Sequence, residues 1–353
     1  MKSQKEGNRI CVVLLTVLTV ATLVLNTGCA EKKDAYQVTG APSVDPVAID
    51  VVRVHAYDKQ GRISEYKGNF RNQLVDDEVI IYDAMVRHFL ADKRTDDLSV
   101  KLKQGYISIY HLREAFDVAW FAFSNDHPEV FWVYGINDLT CKKIWITDFF
   151  IPDGEVVVSF DEFYTGAIDD IKTVNKGIED AVSEIASKRK SESRYDTVRA
   201  IYDFICSHAK YDHDAFYNDK PDVDMFEAST AAPVFGGGHR GKMIICEGYA
   251  RVLKILCAEF DIPCVNVENS SHSWNYVQME DEIWYVADAC WDDVGEYAVP
   301  SRYSYFLLGK KASPISEGEI HKAYDGIYID LEKMYTTMPV LVYPELGDYD
   351  YCR

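Results

Sequence analysis

Cationic charge is scarce in this sequence: 37 Lys and Arg stand against 57 Asp and Glu in 353 residues, a formal charge of −20. A field of that sign repels phosphate backbones, which excludes nucleic acid as a partner. After Leu25 no apolar run approaches the length of a bilayer span, which excludes a multi-span transporter. None of the nine cysteines forms a CxxC pair, so a zinc ribbon or thioredoxin-type site has no support. No repeat of fixed period is present. What is plentiful is aromatic surface, with 24 Tyr and 13% aromatics in a chain that is 48% hydrophobic and 27% charged. That balance excludes wholesale disorder and fibrous repeats, and the length suits two or three domains with a sizeable core.

The first residues read as an export signal. Lys2, Lys5 and Arg9, offset by Glu6, precede an apolar stretch from Ile10 to Leu25 that is too short for a comfortable span. Leu25-Asn26-Thr27-Gly28-Cys29 follows, and small residues before a Cys at this place resemble a bacterial lipoprotein signal. Asn26 stands three before the Cys, where Leu is usual. The resemblance implies a lipid on Cys29 and cleavage after residue 28; a simple cleaved signal or an uncleaved anchor is the alternative. Cleavage would remove three basic residues and one acidic, taking the charge from −20 to −22. Ala30 to Pro46 then reads as a polar tether. Besides Cys11 and Cys29, seven cysteines remain: Cys141, Cys206, Cys246, Cys257, Cys264, Cys290 and Cys352. An odd number in an exported chain leaves at least one thiol unpaired or bonded between molecules, and the pairing of the rest is open.

Residues 48–165 are expected to form an N-terminal mixed α/β domain. Val51 to Tyr57 alternates like a strand, as do Ile107 to Tyr110, Val130 to Tyr134, Ile144 to Phe150 and Val156 to Phe160; Asp76 to Leu90 and Leu112 to Ser124 are spaced as helices. From 166 the periodicity is helical through Ile168, Ile171, Val174, Ile178, Val182 and Ile185, and a second helix is expected from about Tyr195 to Ala209. Asp212 to Gly241 reads as a long, solvated acidic loop, since its Asp cluster lacks the spacing of a calcium loop. Cys206, His208 and His213 are too weakly spaced to argue for a metal. No cofactor and no metal are expected.

The chemistry concentrates downstream. A Gly-rich loop leads into a helix starting near Cys246, with Tyr249, Val252, Leu253, Leu256 and Phe260 on its apolar face and Asp261-Ile262-Pro263 as its stop. A Cys at a helix N-terminus meets unpaired N–H groups and the positive end of the macrodipole, which favour a thiolate. Cys257 and Cys264 read as plain core residues. Ser271 to Val277 and Ile283 to Asp288 form two strands about an acidic turn near Glu280. That turn sets His272 opposite Asp288, on one face of an antiparallel pair. A carboxylate beside an imidazole fixes its tautomer and stabilises its charge. Cys246, His272 and Asp288 thus have the layout of nucleophile, base and orienter, whereas each alone would suit a buried Cys, a core His or a strand-end carboxylate.

Cys246-Glu-Gly-Tyr-Ala, His272-Ser-Trp-Asn and Trp284-Tyr-Val-Ala-Asp288-Ala-Cys-Trp-Asp-Asp293 resemble the transglutaminase-like branch of the papain-like cysteine peptidases. Ile201 to Asp212 resembles the helix before the nucleophile in bacterial members, and Asp126-His-Pro-Glu-Val-Phe-Trp132 their exported N-terminal extension. The resemblance covers about residues 195–308. It implies an α+β papain-like/transglutaminase-like core over 166–353, a nucleophile helix packed on an antiparallel sheet, with Cys246 as nucleophile, His272 as general base and acid, and Asp288 as orienter. Cys290 stands where Thr is usual, on the side of Asp288, and Met243-Ile-Ile replaces a short Gly-Val before the nucleophile.

The activity expected is attack on amide carbonyls through a thioester, resolved by water as in a peptidase or amidase. Resolution by a Lys amine, as in a cross-linking transglutaminase, shares the first half-reaction. A tethered binding module with an unused triad is the third reading. Expected partners are a protein or peptide substrate, such as a surface protein or cell-wall peptide, and the membrane through the lipid on Cys29.

Overall fold

The computed structural model describes residues 70–91, 97–106, 108–146, 149–162, 166–217, 223–293, 303–316, 321–324, 326–327 and 341–352. The export signal, Cys29, the tether and the Val51 to Tyr57 strand lie outside them.

The architecture is mixed α+β with antiparallel sheets. In the N-terminal half, Phe70 to Gln73 makes a 3-10 turn and Asp76–Met85 a helix that loosens into a π-helical turn over Val86–Ala91. β1 (Leu98–Lys101) follows, then the helix Ile109–Asp126. The short strand expected over Ile107 to Tyr110 is not found in its described residues, 108–110. Ser108 accepts the His111 N–H at 3.3 Å as an N-cap, and the helix starts at the next residue. β2 (Val133–Ile146) and β3 (Phe149–Glu162) are longer than the separate stretches expected and form one hairpin with three register shifts in β2. The sheet order is β1-β3-β2, all antiparallel.

The helix Ile171–Lys188 buries Ile171, Val174, Ile178 and Ile185, four of the six positions its periodicity named. Arg194–His208 follows, capped by Ser193. The stretch expected to be a solvated loop is instead tied down. β4 (Lys210–Tyr211) lies parallel to β5 (Met243–Ile244), and two short helices, His213–Tyr217 and Val223–Ala228, stand between them. Buried Asp212 accepts the Ala215 N–H and grips the Arg240 guanidinium; buried Glu227 accepts the N–H groups of His239 and Arg240 at 2.8 and 2.9 Å. These carboxylates replace water as the partners of the loop, which is why it folds.

The helix Cys246–Glu259 lies on β6 (Cys264–Glu268) and β7 (Ser273–Gln278). β8 (Trp284–Ala287) and β9 (Phe306–Leu308) complete the antiparallel order β6-β7-β8-β9. Burial of Tyr249, Val252, Leu253 and Leu256 contributes roughly 1.5–3 kcal/mol each to holding the helix on the sheet. Asn275 reinforces the contact, donating to the Ala250 carbonyl at 2.9 Å and to Asn266 Oδ1 at 2.8 Å. Buried Lys254, on the same helix, donates to the Cys264 carbonyl at 2.6 Å, and its charge is felt by Asp126 in the N-terminal half. β10 (Gly326–Ile327) pairs with β11 (Leu341–Val342). One hydrophobic core runs from Phe70 through both sheets to Tyr343.

Candidate active site

Cys246 is the first residue of its helix, preceded by Ile245 in extended conformation, whose N–H is held by the Ala228 carbonyl at 2.9 Å. Gly248 makes this placement possible. A Cβ there would lie 2.7 Å from the Ala228 carbonyl oxygen and 2.9 Å from that of Thr230, so only glycine lets the first turn rest on this backbone.

His272 is fixed from its own loop. Asn269 Oδ1 accepts the N–H groups of Ser271 and His272 at 2.9 and 3.0 Å, an Asx-type turn that delivers the imidazole to the start of β7. The ring stacks on Trp274 at 5.6 Å with 15° between planes. Asp288 follows the end of β8. It caps the turn Ala289–Asp292, with Oδ1 accepting the Trp291 N–H at 3.0 Å. Oδ2 is left for the imidazole, and His272 Nε2 sits 2.5 Å from it.

The two residues meet although the register differs from expectation. Asn275 faces Ala287 and Gln278 faces Trp284, two residues out from the pairing in which His272 faces Asp288 directly. The loop is the cause: it closes from Met279 N–H to the Ile283 carbonyl with Glu282 left-handed, and so centres on Asp281 rather than Glu280. An offset of two preserves the face, where an offset of one would have reversed it.

Burial opposes charge on His272, but the Asp288 carboxylate and the nearby Cys246 sulfur overcome it and raise the imidazole to about 10. Burial also opposes charge on Asp288, yet the two imidazoles against it hold the carboxyl well below its usual range. With Nε2 committed to Asp288, Nδ1 is the ring atom left for the sulfur. The site is nearly closed: Cys246 is 8% exposed, His272 6% and Asp288 1%. Cys290 lies close enough to feel both Cys246 and Asp288, and burial pushes its thiol up. It belongs to the Asp288 turn rather than to a strand. The seven described cysteines are all free thiols, with Cys257 and Cys264 buried side by side.

The second imidazole is His321, 33 residues beyond Asp288, with Nε2 2.7 Å from Asp288 Oδ2. No spacing or motif in the sequence points to it. His272, Asp288 and His321 have the composition of a metal site, and their donor atoms lie within 4.8 Å of one another. The Nε2 atoms of both rings sit at hydrogen-bond distance from one carboxylate oxygen, and the Asp288 charge favours the protonated form of His272. Cys206, His208 and His213 do not assemble: Cys206 turns to the Ala289 carbonyl, His208 to Phe204 and Glu184, and His213 to Tyr211 and Tyr217.

No protein-family model matches the chain. Among curated proteins it is similar to the kyphoscoliosis peptidase of Mus musculus, with 27% identity over 135 residues, 34% of this chain and 19% of that protein. The match thus spans about a fifth of the relative's length. Among solved structures, a TGase is aligned at 14% identity over 47% of this chain and 46% of the other, with a TM-score of 0.29. A protein described as a cysteine protease from Cytophaga hutchinsonii is aligned at 13% identity over 43% of this chain and 62% of the other, with a TM-score of 0.23.

Proposed function

We propose that this chain is a thiol enzyme that cleaves peptide or side-chain amides through a thioester, with Cys246 as nucleophile, His272 as general base and acid, and Asp288 orienting the imidazole. One observation carries the reading: the buried His272 imidazole, 2.5 Å from the Asp288 carboxylate, also feels the sulfur of a cysteine at a helix N-terminus. A purely structural cysteine has no use for such a neighbour.

The steps follow from the groups present. Cys246 Sγ attacks the carbonyl carbon, a C–S bond forms, and the carbonyl oxygen takes the displaced electron pair. Its negative charge is met by the N–H groups of the helix N-terminus. As the carbonyl re-forms, the C–N bond breaks and His272 gives its proton to the departing nitrogen. The neutral imidazole then takes a proton from water, whose oxygen attacks the thioester. The C–S bond breaks, the acid leaves, and the thiolate–imidazolium pair is restored. Asp288 keeps its negative charge throughout.

Water is favoured over an amine as the second acceptor because water is abundant and no amine-binding site is evident among the described residues; the mouse relative is named a peptidase. The same reading holds the enzyme at the cell envelope by a lipid on Cys29, divides tether from N-terminal domain at 47/48 and that domain from the catalytic one at 165/166, and gives it surface proteins or cell-wall peptides as substrates. The test is made on the purified chain and its Cys246→Ala variant. Iodoacetamide near pH 6 is expected to label Cys246 at least about tenfold faster than Cys257 and Cys264. A glutamine- and amide-bearing peptide is expected to be hydrolysed by the wild type alone. Equal, slow labelling of all thiols would replace the enzyme by a binding module. Incorporation of a labelled amine, lost with Cys246→Ala, would replace hydrolysis by cross-linking.

A further inference from the structure

His321 can be read as a core histidine that has found an acceptor. It is 4% exposed, stacks on Tyr305 at 4.8 Å and meets Trp274 and Trp291 edge-on at 5.3 and 5.4 Å. Space filling accounts for the ring's position but not for its choice of acceptor. Asp288 Oδ1 is occupied by the Trp291 N–H, and His321 lies on the other oxygen, the one His272 uses, at 2.7 Å against 2.5 Å. The two rings stand perpendicular, 89° apart with centroids at 5.5 Å, so both N–H groups reach one oxygen without the rings colliding.

We propose that His321 is a positioning residue for the Cys246–His272 pair: its ring N–H, set on the same Asp288 oxygen that His272 uses, limits how firmly the carboxylate keeps the proton on His272. The role rests on His272 being the general acid and base. Two donors on one oxygen share its charge, so each bond is weaker than it would be alone. The direction does not depend on the charge of His321. A neutral ring draws on the carboxylate, and a charged ring also repels the imidazolium. An acid that must give up its proton in every cycle works best when its affinity is not far above the working pH. A buried carboxylate with one imidazole partner would bind that proton more tightly.

The other polar groups around Asp288 do not take this place. From the helix Arg194–His208, the Tyr202 hydroxyl meets the Asp288 main-chain carbonyl at 2.6 Å. Asp292 and Cys290, from the following turn, and Tyr305, from the approach to β9, act on Asp288 or are acted on by it through charge. The donors on Oδ2 are the two imidazoles.

The experiment titrates the His272 ring by NMR in the full chain labelled at histidine Cε1. It is done in a Cys246→Ala background, so that the sulfur no longer contributes, and the signal is assigned with His272→Gln. His321→Phe is expected to raise the His272 midpoint by about 0.5–1 pH unit. His321→Gln, which retains an N–H donor of similar reach, is expected to return it to within about 0.2 unit of the parent. His321→Leu serves the same purpose should the Phe variant not fold. A midpoint unmoved or lowered by Phe or Leu in a folded protein, or raised equally by Gln, would overturn the assignment. The titration needs no substrate. A wild type that cleaves no amide would therefore sink the enzymatic reading and leave the coupling of the two rings as measured.

Discussion

Two buried carboxylates, one in each half of the chain, are satisfied in opposite ways. Asp126 closes the helix Ile109–Asp126 and accepts the main-chain N–H groups of Phe70 and Arg71 at 2.8 and 3.1 Å and the Tyr82 hydroxyl at 3.0 Å. Burial pushes its carboxyl up, although Lys254, the Phe70 and Arg71 N–H groups and nearby His127 pull it down. Asp288 is as deeply buried, but its Oδ2 faces two imidazoles, and its carboxyl moves down instead. Burial alone therefore does not decide the charge of a carboxylate. The main-chain and hydroxyl donors bonded to Asp126 cannot take up or release a proton near neutral pH, and His127 bonds to the Tyr82 hydroxyl, so Asp126 serves as an anchor. Imidazoles can, so Asp288 is part of a proton-carrying unit.

Substitutions should separate the two roles. The largest effect is expected at Asp288: Asp288→Asn should keep the fold and lower amide cleavage by roughly 10²–10⁴-fold, because the imidazole loses the charge that holds its tautomer and its proton. Retention of more than half the activity would make Asp288 a second structural anchor. Next comes Asp126→Ala, which strands the Phe70 and Arg71 N–H groups and leaves the Tyr82 hydroxyl to His127, and should cost about 2–4 kcal/mol in urea denaturation. Cys246 labelling per folded molecule should stay unchanged; a parallel loss of labelling would show that the anchor also serves the site. The effect that sharpens the contrast is in pH dependence. His272 rises from its ordinary value of 6.5 to about 10 on folding, so its contribution to stability is fully present below pH 6.5 and is lost as pH climbs towards 10. The wild type's stability advantage over His272→Ala should shrink across that window. A constant difference would mean that the imidazole is not held charged.

Much of the site was legible because its parts are local. The Cys246 helix announces its start by the Gly-rich loop and its buried face by the spacing of Tyr249, Val252, Leu253 and Leu256, and two short aromatic-rich runs either side of an acidic turn mark β7 and β8. The face shared by His272 and Asp288 survived an error in the turn because the error was an even number of residues. What could not be read is what tertiary contacts decide. Asp212 to Gly241 looks like solvated loop by composition, yet Asp212 and Glu227 are buried by pairing with Arg240 and with main-chain N–H groups far along the chain. Residues 135–143 of the long hairpin carry bulges that erase the alternation of a strand. His321 gives no local signal, since its partner lies 33 residues away and its neighbours share no period with it.

The buried ammonium of Lys254 has a practical bearing on how this protein can be handled. It sits on the helix that begins with Cys246, bonded to the Cys264 carbonyl, while the carboxylate whose ionisation it favours belongs to the first half of the chain. Severing the chain ahead of Ile171 would part Lys254 from the Asp126 carboxylate and open the core that the two halves share. A shortened version reduced to the thiol-bearing half should therefore be prone to aggregate, and co-expression of the two pieces, rather than either one alone, is the route by which the reactive centre would be recovered.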